Sequence, residues 1–128
     1  MKRVATELRD LGAWRAQLRK GAAELAVLAV LGRHESYGLE ILDAVRLEGG
    51  LDLSEGSIYP LLNRLQKEGM IEGRWVEAPG ASHPRKYYQL TAQGEDVLRA
   101  MLRDWTEFVS AMNDIVSGAP ASVADAPE

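Results

Sequence analysis

The sequence has 128 residues, enough chain for one domain with a modest hydrophobic core, and carries a formal net charge of -4 at pH 7. It has no cysteine, which excludes disulfides, thiol catalysis and thiolate metal sites, and with two histidines we expect neither a metal site nor a cofactor. No apolar run approaches the roughly 20 residues that cross a membrane, and no apolar core follows the charged N-terminus as in a signal peptide, so we expect a cytoplasmic protein with no membrane partner.

The first predicted helix covers residues 4–19 and has a narrow apolar stripe. The residues of this stripe, at heptad-like spacing, are Val4, Leu8, Leu11, Trp14 and Leu18. Because the stripe is too narrow for a core helix, we expect it to pack against the C-terminal helix of the same chain or of a partner. A frayed extension is the alternative, since chain termini are often loosely held.

Two further helices are predicted in the first half of the chain. Residues 21–32 are apolar nearly all round, which indicates a buried helix, and a glycine closes it. Residues 34–38 read as a turn, and a third helix is predicted over residues 38–47. The short linker after it carries Gly49 and Gly50 and leads directly to the next helix, as helix-turn-helix geometry requires.

A fourth helix is predicted within residues 54–69. Ser54 is a suitable N-cap and Gly69 a suitable C-terminal stop, whereas Pro60 should kink the helix or delay its start. The apolar face consists of Ile58, Leu61, Leu62 and Leu65. The opposite face carries hydrogen-bond donors, which are Ser57, Asn63, Arg64 and Lys67. Such a face can lie against phosphates and base edges, but a surface helix with a solvated charged face has the same pattern.

The region after this helix predicts a β-hairpin. Residues 74–77 alternate in polarity like a strand, residues 78–84 form a loop with two prolines and a glycine, and residues 85–90 read as a second strand. Thr91 then suits the N-cap position of a long helix. A helix followed by a hairpin with a basic root is the plan of a winged helix-turn-helix, so we predict a mainly α fold with a small β-hairpin.

The last predicted helix covers residues 92–116 and has a broad apolar stripe. The residues of this stripe are Leu98, Met101, Trp105, Phe108, Met112 and Ile115. Too little of the chain remains to cover such a stripe, and in a monomer it would promote aggregation, so we predict a homodimer with two-fold symmetry. Residues 117–128 are small and acidic with two prolines, and read as a disordered tail.

Five stretches together resemble the PadR family of bacterial transcriptional regulators. They are Lys20-Gly21, Tyr37-Gly38-Leu39-Glu40-Ile41-Leu42, Ser57-Ile58-Tyr59-Pro60-Leu61-Leu62-Asn63-Arg64-Leu65, Glu68-Gly69-Met70-Ile71 and Arg85-Lys86-Tyr87-Tyr88-Gln89-Leu90-Thr91-Ala92-Gln93-Gly94. The resemblance covers the chain from residue 20 to about residue 116. It implies a dimeric repressor whose C-terminal helix builds the dimer, and which a small molecule often releases from DNA.

The resemblance also implies roles for individual side chains. The expected DNA-binding residues are Lys20, Ser57, Tyr59, Asn63, Arg64, Lys67, His83, Arg85 and Lys86. The uncharged members on the fourth helix are expected at base edges or nearby phosphates, its two cations at phosphates, and the two wing cations at the backbone or minor groove. For Tyr59, packing of the ring on the core with its hydroxyl outward is an equally weighted alternative.

Trp105 suggests an effector site. In multidrug-responsive members of the family, a tryptophan of this helix helps to form an aromatic pore at the dimer centre, where flat ligands stack. Trp105 lies at what resembles the equivalent place, and Met101, Phe108 and Met112 share its stripe and can line the same space. The alternative is that Trp105 simply fills the dimer core, because aromatic residues at helical spacing usually serve packing.

Charge is unevenly distributed along the chain. Residues 1–90 hold 13 Lys+Arg and 12 Asp+Glu, whereas residues 91–128 hold 2 and 7, so the acidity lies away from the expected DNA face. We predict a homodimeric repressor that binds an inverted-repeat operator in double-stranded DNA with modest, salt-sensitive affinity. The low basicity also permits the alternative of a winged-helix module for protein–protein contact.

The expected organisation follows from these elements. Residues 1–19 form a helix that contributes to the dimer, residues 20–90 the winged helix-turn-helix domain, residues 91–116 the dimerisation helix and residues 117–128 the tail. The sequence contains no glycine-rich phosphate loop and no nucleophile with a base and an orienting partner. We therefore do not expect an enzyme.

Overall fold

The computed structural model describes residues 10–118, which form four α-helices and a three-stranded antiparallel sheet. In chain order the elements are α1 (Gly12–Arg33), β1 (Ser36–Tyr37), α2 (Gly38–Leu47), α3 (Glu55–Lys67), β2 (Ile71–Val76), β3 (Arg85–Leu90) and α4 (Ala92–Ser117). This mainly α architecture confirms the predicted fold class. The described part of the chain divides into two units between Leu98 and Arg99. None of its helices is long and apolar enough to cross a membrane.

The core of the first unit lies between the apolar faces of the first three helices and the sheet. Its fully buried large side chains are Val27, Leu28, Ile41, Leu42, Val45, Ile58, Leu62, Leu65 and Ile71. Burying one such side chain contributes roughly 1.5–3 kcal/mol relative to leaving it exposed. The apolar spacing predicted for the fourth helix is therefore the face that α3 buries, with Leu61 half-buried at its edge.

The sheet has the strand order β1-β3-β2. The strand β1 pairs with β3 through Ser36 opposite Tyr88 and Tyr37 opposite Tyr87. The prediction that residues 34–38 form only a turn was therefore wrong, because a two-residue strand is too short to show a period. Ser36 is buried, and its hydroxyl donates to the His34 carbonyl at 3.3 Å.

The strand β2 begins at Ile71, three residues earlier than predicted. Ile71 pairs with Leu90, and the pairing continues to Val76 opposite Arg85. Gly73 has no side chain and so interrupts the alternation of apolar and polar residues at the start of this strand, where it pairs with Tyr88.

The helix α1 runs without a break from Gly12 to Arg33. The prediction of separate helices over residues 4–19 and 21–32 was wrong in this respect, since α1 passes through Gly21. A glycine in a helix interior costs only about 1 kcal/mol relative to alanine, which a 22-residue helix tolerates. The predicted residues 4–9 lie outside the described part of the chain.

The end of α3 and the start of α4 are joined by a compact set of hydrogen bonds. Gly69 has φ +80°, and the Met70 amide donates to the Leu65 carbonyl at 3.0 Å, which together close α3 in the arrangement that favours glycine. The Thr91 hydroxyl donates to the Gly69 carbonyl at 2.6 Å and accepts from the Gly94 amide at 3.0 Å. Thr91 is therefore the N-cap of α4, as predicted, and it ties α4 to the C-terminal end of α3.

The helix α4 contributes to both units. Its buried residues are Gly94 and Leu98, and both belong to the first unit. Leu98, predicted for the dimer stripe, is buried in the monomer, with one of its methyl groups beside Gly32 of α1. The first turns of α4 thus complete the core of the first unit. The predicted tail lies outside the described residues from residue 119 onward.

Candidate nucleic-acid interface

The exposed side of α3 is centred on a strip formed by Gly56, Pro60, Asn63 and Lys67. At about 100° per residue, this strip lies opposite the buried Ile58, Leu62 and Leu65. The first two residues of the strip present little side chain, so another molecule can approach the helix backbone closely there. Asn63 and Lys67 add an amide and an ammonium group in the next turns.

On one flank of this strip, Ser57 and Arg64 line a cleft of about 710 Å³ with the N-terminal half of α1, including Lys20. The Arg64 guanidinium donates to Glu24 of α1 at 2.8 Å and to Glu68 at 3.2 Å. The hydrogen bond with Glu24 has the larger effect and, together with the one to Glu68, raises the pKa of Arg64. Arg64 therefore links α3 to α1, and its predicted phosphate contact stays a prediction.

On the other flank, the wing reaches α3 through Lys86. Its Nζ donates to Gln66 Oε1 at 3.2 Å and lies 5.8 Å from the centroid of the Trp75 ring, the residue with which Lys86 pairs across the hairpin. Asn63 and Lys67 join these two side chains of α3 and β3 around a shallow pocket of about 320 Å³. The structure thus brings three predicted DNA-binding residues together, which are Asn63, Lys67 and Lys86.

Tyr59 packs against Gly38 at the start of α2. A methyl group at Gly38 would lie 2.6 Å from Cε1 of Tyr59, so only glycine leaves room for the ring. Burial, followed by the charge of Glu55, raises the pKa of Tyr59, which keeps its hydroxyl protonated. Tyr59 as a whole is still 38% exposed. The ring of Tyr59 therefore packs as in the packing alternative, but its hydroxyl lies beside Gly38 and does not point outward. A DNA contact by this residue stays a prediction.

The root of the wing is held by a cation–aromatic contact and an ion pair. The Arg85 guanidinium lies 4.5 Å above the Tyr37 ring. Arg74 of β2 donates two hydrogen bonds to Glu35, at 2.8 and 2.6 Å, and these lower the pKa of Glu35 so that it stays ionised. His83 lies in the exposed loop between β2 and β3. These contacts attach the hairpin to β1 and to the residue before it.

Sequence reasoning missed several residues beside the predicted face. Trp75 is 69% exposed and, with Tyr59 and Lys86, lines an open groove of about 880 Å³ between α3 and the wing. Its strand position opposite a predicted wing cation was the available signal. Arg15 and Arg19 line the cleft between α1 and α3. Their spacing of four residues places them on one helix face, but the facing element was not visible in the sequence.

The second unit consists of α4 beyond Leu98. The exposed large apolar residues of this part are Leu102, Trp105, Phe108, Met112, Ile115 and Val116. The Trp105 and Phe108 ring centroids are 6.4 Å apart with a tilt of 44°. Met101 is half-buried. Apart from Leu98, the predicted stripe is therefore present as a largely exposed face of one helix.

Comparisons with known proteins agree with this architecture. Residues 27–100 match the family described as "Transcriptional regulator PadR-like family". The chain is similar to the crystal structure of a PadR-like transcriptional regulator from Bacillus cereus, with 36% identity, a TM-score of 0.72 and coverage of 80% of this chain and 99% of that chain. A PadR family regulator from Eggerthella lenta has 27% identity and a TM-score of 0.74, with 85% and 94% covered.

Similarity to a curated protein covers a smaller part. The transcriptional regulator YqjI of Escherichia coli is 34% identical over 76 residues, which are 58% of this chain and 34% of that protein. The chain therefore spans about a third of the length of this relative.

Proposed function

The chain belongs to the PadR-like family of transcriptional regulators, whose members are not enzymes, and we propose that it is a cytoplasmic homodimeric repressor that binds an inverted-repeat operator. The observation that carries the proposal is the exposed strip of α3, which presents Asn63 and Lys67 beside Lys86 of the wing. Amide and ammonium donors in this arrangement suit the base edges and phosphates of double-stranded DNA.

With α3 docked in the major groove, these residues would contact different parts of the DNA. Asn63 points outward with small residues before it on the strip, so its amide can reach a base edge, where adenine is the usual partner. Lys67 and Lys86 are point charges on either side of that amide and suit phosphates. The wing then follows the neighbouring backbone, with Arg85 and His83 nearest the minor groove.

Dimerisation is supported by the apolar face of α4. A monomer rarely exposes an apolar face that contains a tryptophan and a phenylalanine one turn apart. An isologous contact between two copies would cover this face in both subunits. Leu11, Trp14 and Leu18 form a second exposed apolar stripe, on α1, which can add to the same interface. A two-fold dimer places its half-sites about 10 bp apart, or a multiple of that.

We also propose that the dimer responds to a small-molecule effector. Trp105 and Phe108 present two ring faces on the exposed side of α4, and a two-fold axis there would bring a second pair opposite them. A flat aromatic ligand between such rings would release the operator if it binds more tightly to the dimer whose subunit spacing cannot bind DNA. About a 10⁴-fold preference for that state converts a 1:99 ratio of non-binding to binding dimers into 99:1. Dense packing of Trp105 in the dimer core is the competing arrangement.

Fluorescence of Trp105 distinguishes these arrangements. We expect flat aromatic cations to quench the emission of a Trp14→Phe/Trp75→Phe variant, in which Trp105 is the remaining tryptophan, because stacking places the ligand against the indole. Titration of the variant dimer with ethidium and with a non-planar cation of equal charge measures this. Equal, weak quenching by both cations would favour a packed core without an effector site.

The DNA interface predicts different losses for its charged and uncharged members. Lys67→Ala should weaken binding to all duplexes and flatten the dependence of log K on log salt by about 0.9, since one phosphate contact is lost. Asn63→Ala should leave the salt slope unchanged and reduce discrimination at one base pair by about 1–3 kcal/mol. Fluorescence anisotropy against duplexes from upstream of the gene, at several salt concentrations, measures both quantities.

A control variant and one result with the wild-type protein distinguish operator binding from a protein–protein contact. Asp43→Ala alters an exposed charge of α2 away from the strip and serves as the control, with wild-type specificity expected. Wild-type protein that binds upstream and scrambled duplexes equally weakly, at low salt as well, would contradict the operator proposal. In that case a winged helix used for protein–protein contact becomes the better explanation.

A further inference from the structure

The N-terminal half of α1 forms one wall of the cleft beside α3. The cleft has a volume of about 710 Å³, and its cationic lining residues are Arg15, Arg19, Lys20 and Arg64. Three of these come from α1 and one from α3. Residues 12–20 of α1, which contribute three of these cations, lie before the segment 27–100 that matches the family.

The cleft has a surplus of positive charge. Its two carboxylates belong to Glu24 and Asp52, against four cations. Glu24 is engaged by Arg64 at 2.8 Å. Within residues 10–118, no carboxylate lies within ion-pair distance of Arg15, Arg19 or Lys20. The chain as a whole has a negative net charge, but the net charge of this cleft, within about one Debye length of α3, is positive.

The N-terminal half of α1 presents two distinct faces. Leu11, Trp14 and Leu18 fall on one side of the helix, and at about 100° per residue Arg15 and Arg19 fall on the neighbouring side that faces the cleft. A partner subunit on the apolar side would leave the two arginines accessible. The same helix can thus serve a dimer and carry an anion-binding surface.

We propose that Arg15 and Arg19 hold the sugar-phosphate backbone of operator DNA outside the bases that α3 faces. The proposal rests on the operator-binding function proposed above. The two arginines are four residues apart, or ~6 Å along the helix axis, which is on the scale of the separation between neighbouring phosphates of one strand. Arginine is suited to this role because its planar donors fit phosphate oxygens bidentately.

Arg64 joins this surface at its inner edge. Its guanidinium has five N–H donors, and its bonds to Glu24 and Glu68 leave some of them available. Backbone held by Arg15 and Arg19 would pass over Arg64 towards the strip on α3. The ion pair with Glu24 therefore keeps Arg64 in place at the point where the flanking backbone meets the recognised bases.

The test compares operator duplexes with and without flanks. One duplex carries the two half-sites alone, and the other adds about one helical turn, ~10 bp, on each side. We expect Arg15→Ala/Arg19→Ala to bind the long duplex on the order of tenfold more weakly, with a salt slope reduced by about 1.8, and to bind the short duplex like wild type. Discrimination between operator and scrambled sequence should stay unchanged, since phosphate contacts carry no base information.

Two control variants make the comparison specific. Arg33→Ala/Arg103→Ala removes the same charge at residues that do not line the cleft, and should retain the wild-type salt slope. Arg15→Lys/Arg19→Lys keeps the charge and should retain most of the affinity. Thermal unfolding of each variant, followed by circular dichroism, verifies the fold.

The possible failures are distinguishable. Wild-type protein that binds neither duplex would overturn the proposed function and this inference together. If the wild type binds the operator but Arg15→Ala/Arg19→Ala and Arg33→Ala/Arg103→Ala bind it equally, this inference alone is overturned. An equal loss on the short and long duplexes would also overturn it, because the arginines would then act within the half-site.

Discussion

Replacement of Gly94 by alanine is expected to destabilise the fold by about 2–3 kcal/mol, the upper range for an overfilled site. A Cβ at this position would overlap the Met70 carbonyl oxygen, and Leu90 lies 3.4 Å away on another side. The obstructing atom is backbone and cannot rotate aside. It also accepts the Thr91 amide at 3.0 Å, so moving it would disturb the junction between α3, the wing and α4.

Gly21 provides the matched control for this prediction. It lies inside α1, and a Cβ there would meet nothing within 4 Å. Gly21→Ala should therefore stabilise the protein by about 0.5–1 kcal/mol, because alanine loses less backbone entropy in a helix. Urea unfolding of both variants at one protein concentration measures the difference, since a dimer's stability depends on concentration. Similar destabilisation of both would refute the close-approach explanation.

The elements that sequence reasoning located well are those whose signal is local. Residues 38–47 and the helix α3 follow from apolar spacing. The ends of α3 follow from Ser54 and Gly69, whose preferred conformations are intrinsic. The long helix after Thr91 follows in the same way. Each of these signals lies within one or two turns of the chain.

The elements that escaped depend on partners distant in sequence. The strand β1 exists because Ser36 and Tyr37 find β3 some fifty residues later, and no two-residue segment can reveal that. The continuity of α1 through Gly21 depends on the packing of its buried half. In both cases tertiary contacts override a weak local preference.

The candidate site shows the same division. Spacing placed Asn63 and Lys67 on one helix face, and the family resemblance added Lys86 of the wing. The fold brings all three together. Arg64 was identified as a cation, but its pairing with Glu24, 40 residues away, became visible only in the fold. The surplus of positive charge between α1 and α3 was hidden for the same reason, because its members come from separate segments of a chain that is acidic as a whole.

Phe108→Glu is expected to have the largest effect on operator binding. If the exposed face of α4 is the dimer interface, a carboxylate at its centre would be buried without a partner in both subunits, and the dimer would dissociate. Loss of bivalent attachment should weaken binding to an inverted repeat by at least ~10²-fold, while binding to one half-site changes little.

Ser110→Glu is the control for that variant. Ser110 is exposed and lies about 180° from the centre of the apolar stripe, so the same added charge should leave the dimer intact. Sedimentation equilibrium gives the subunit association, and anisotropy with full and half operators gives the binding. A Phe108→Glu protein that remains dimeric and binds the full operator normally would show that the subunits meet elsewhere. Dissociation with equal loss on both duplexes would instead mean that the dimer also holds each DNA-binding unit in its active form.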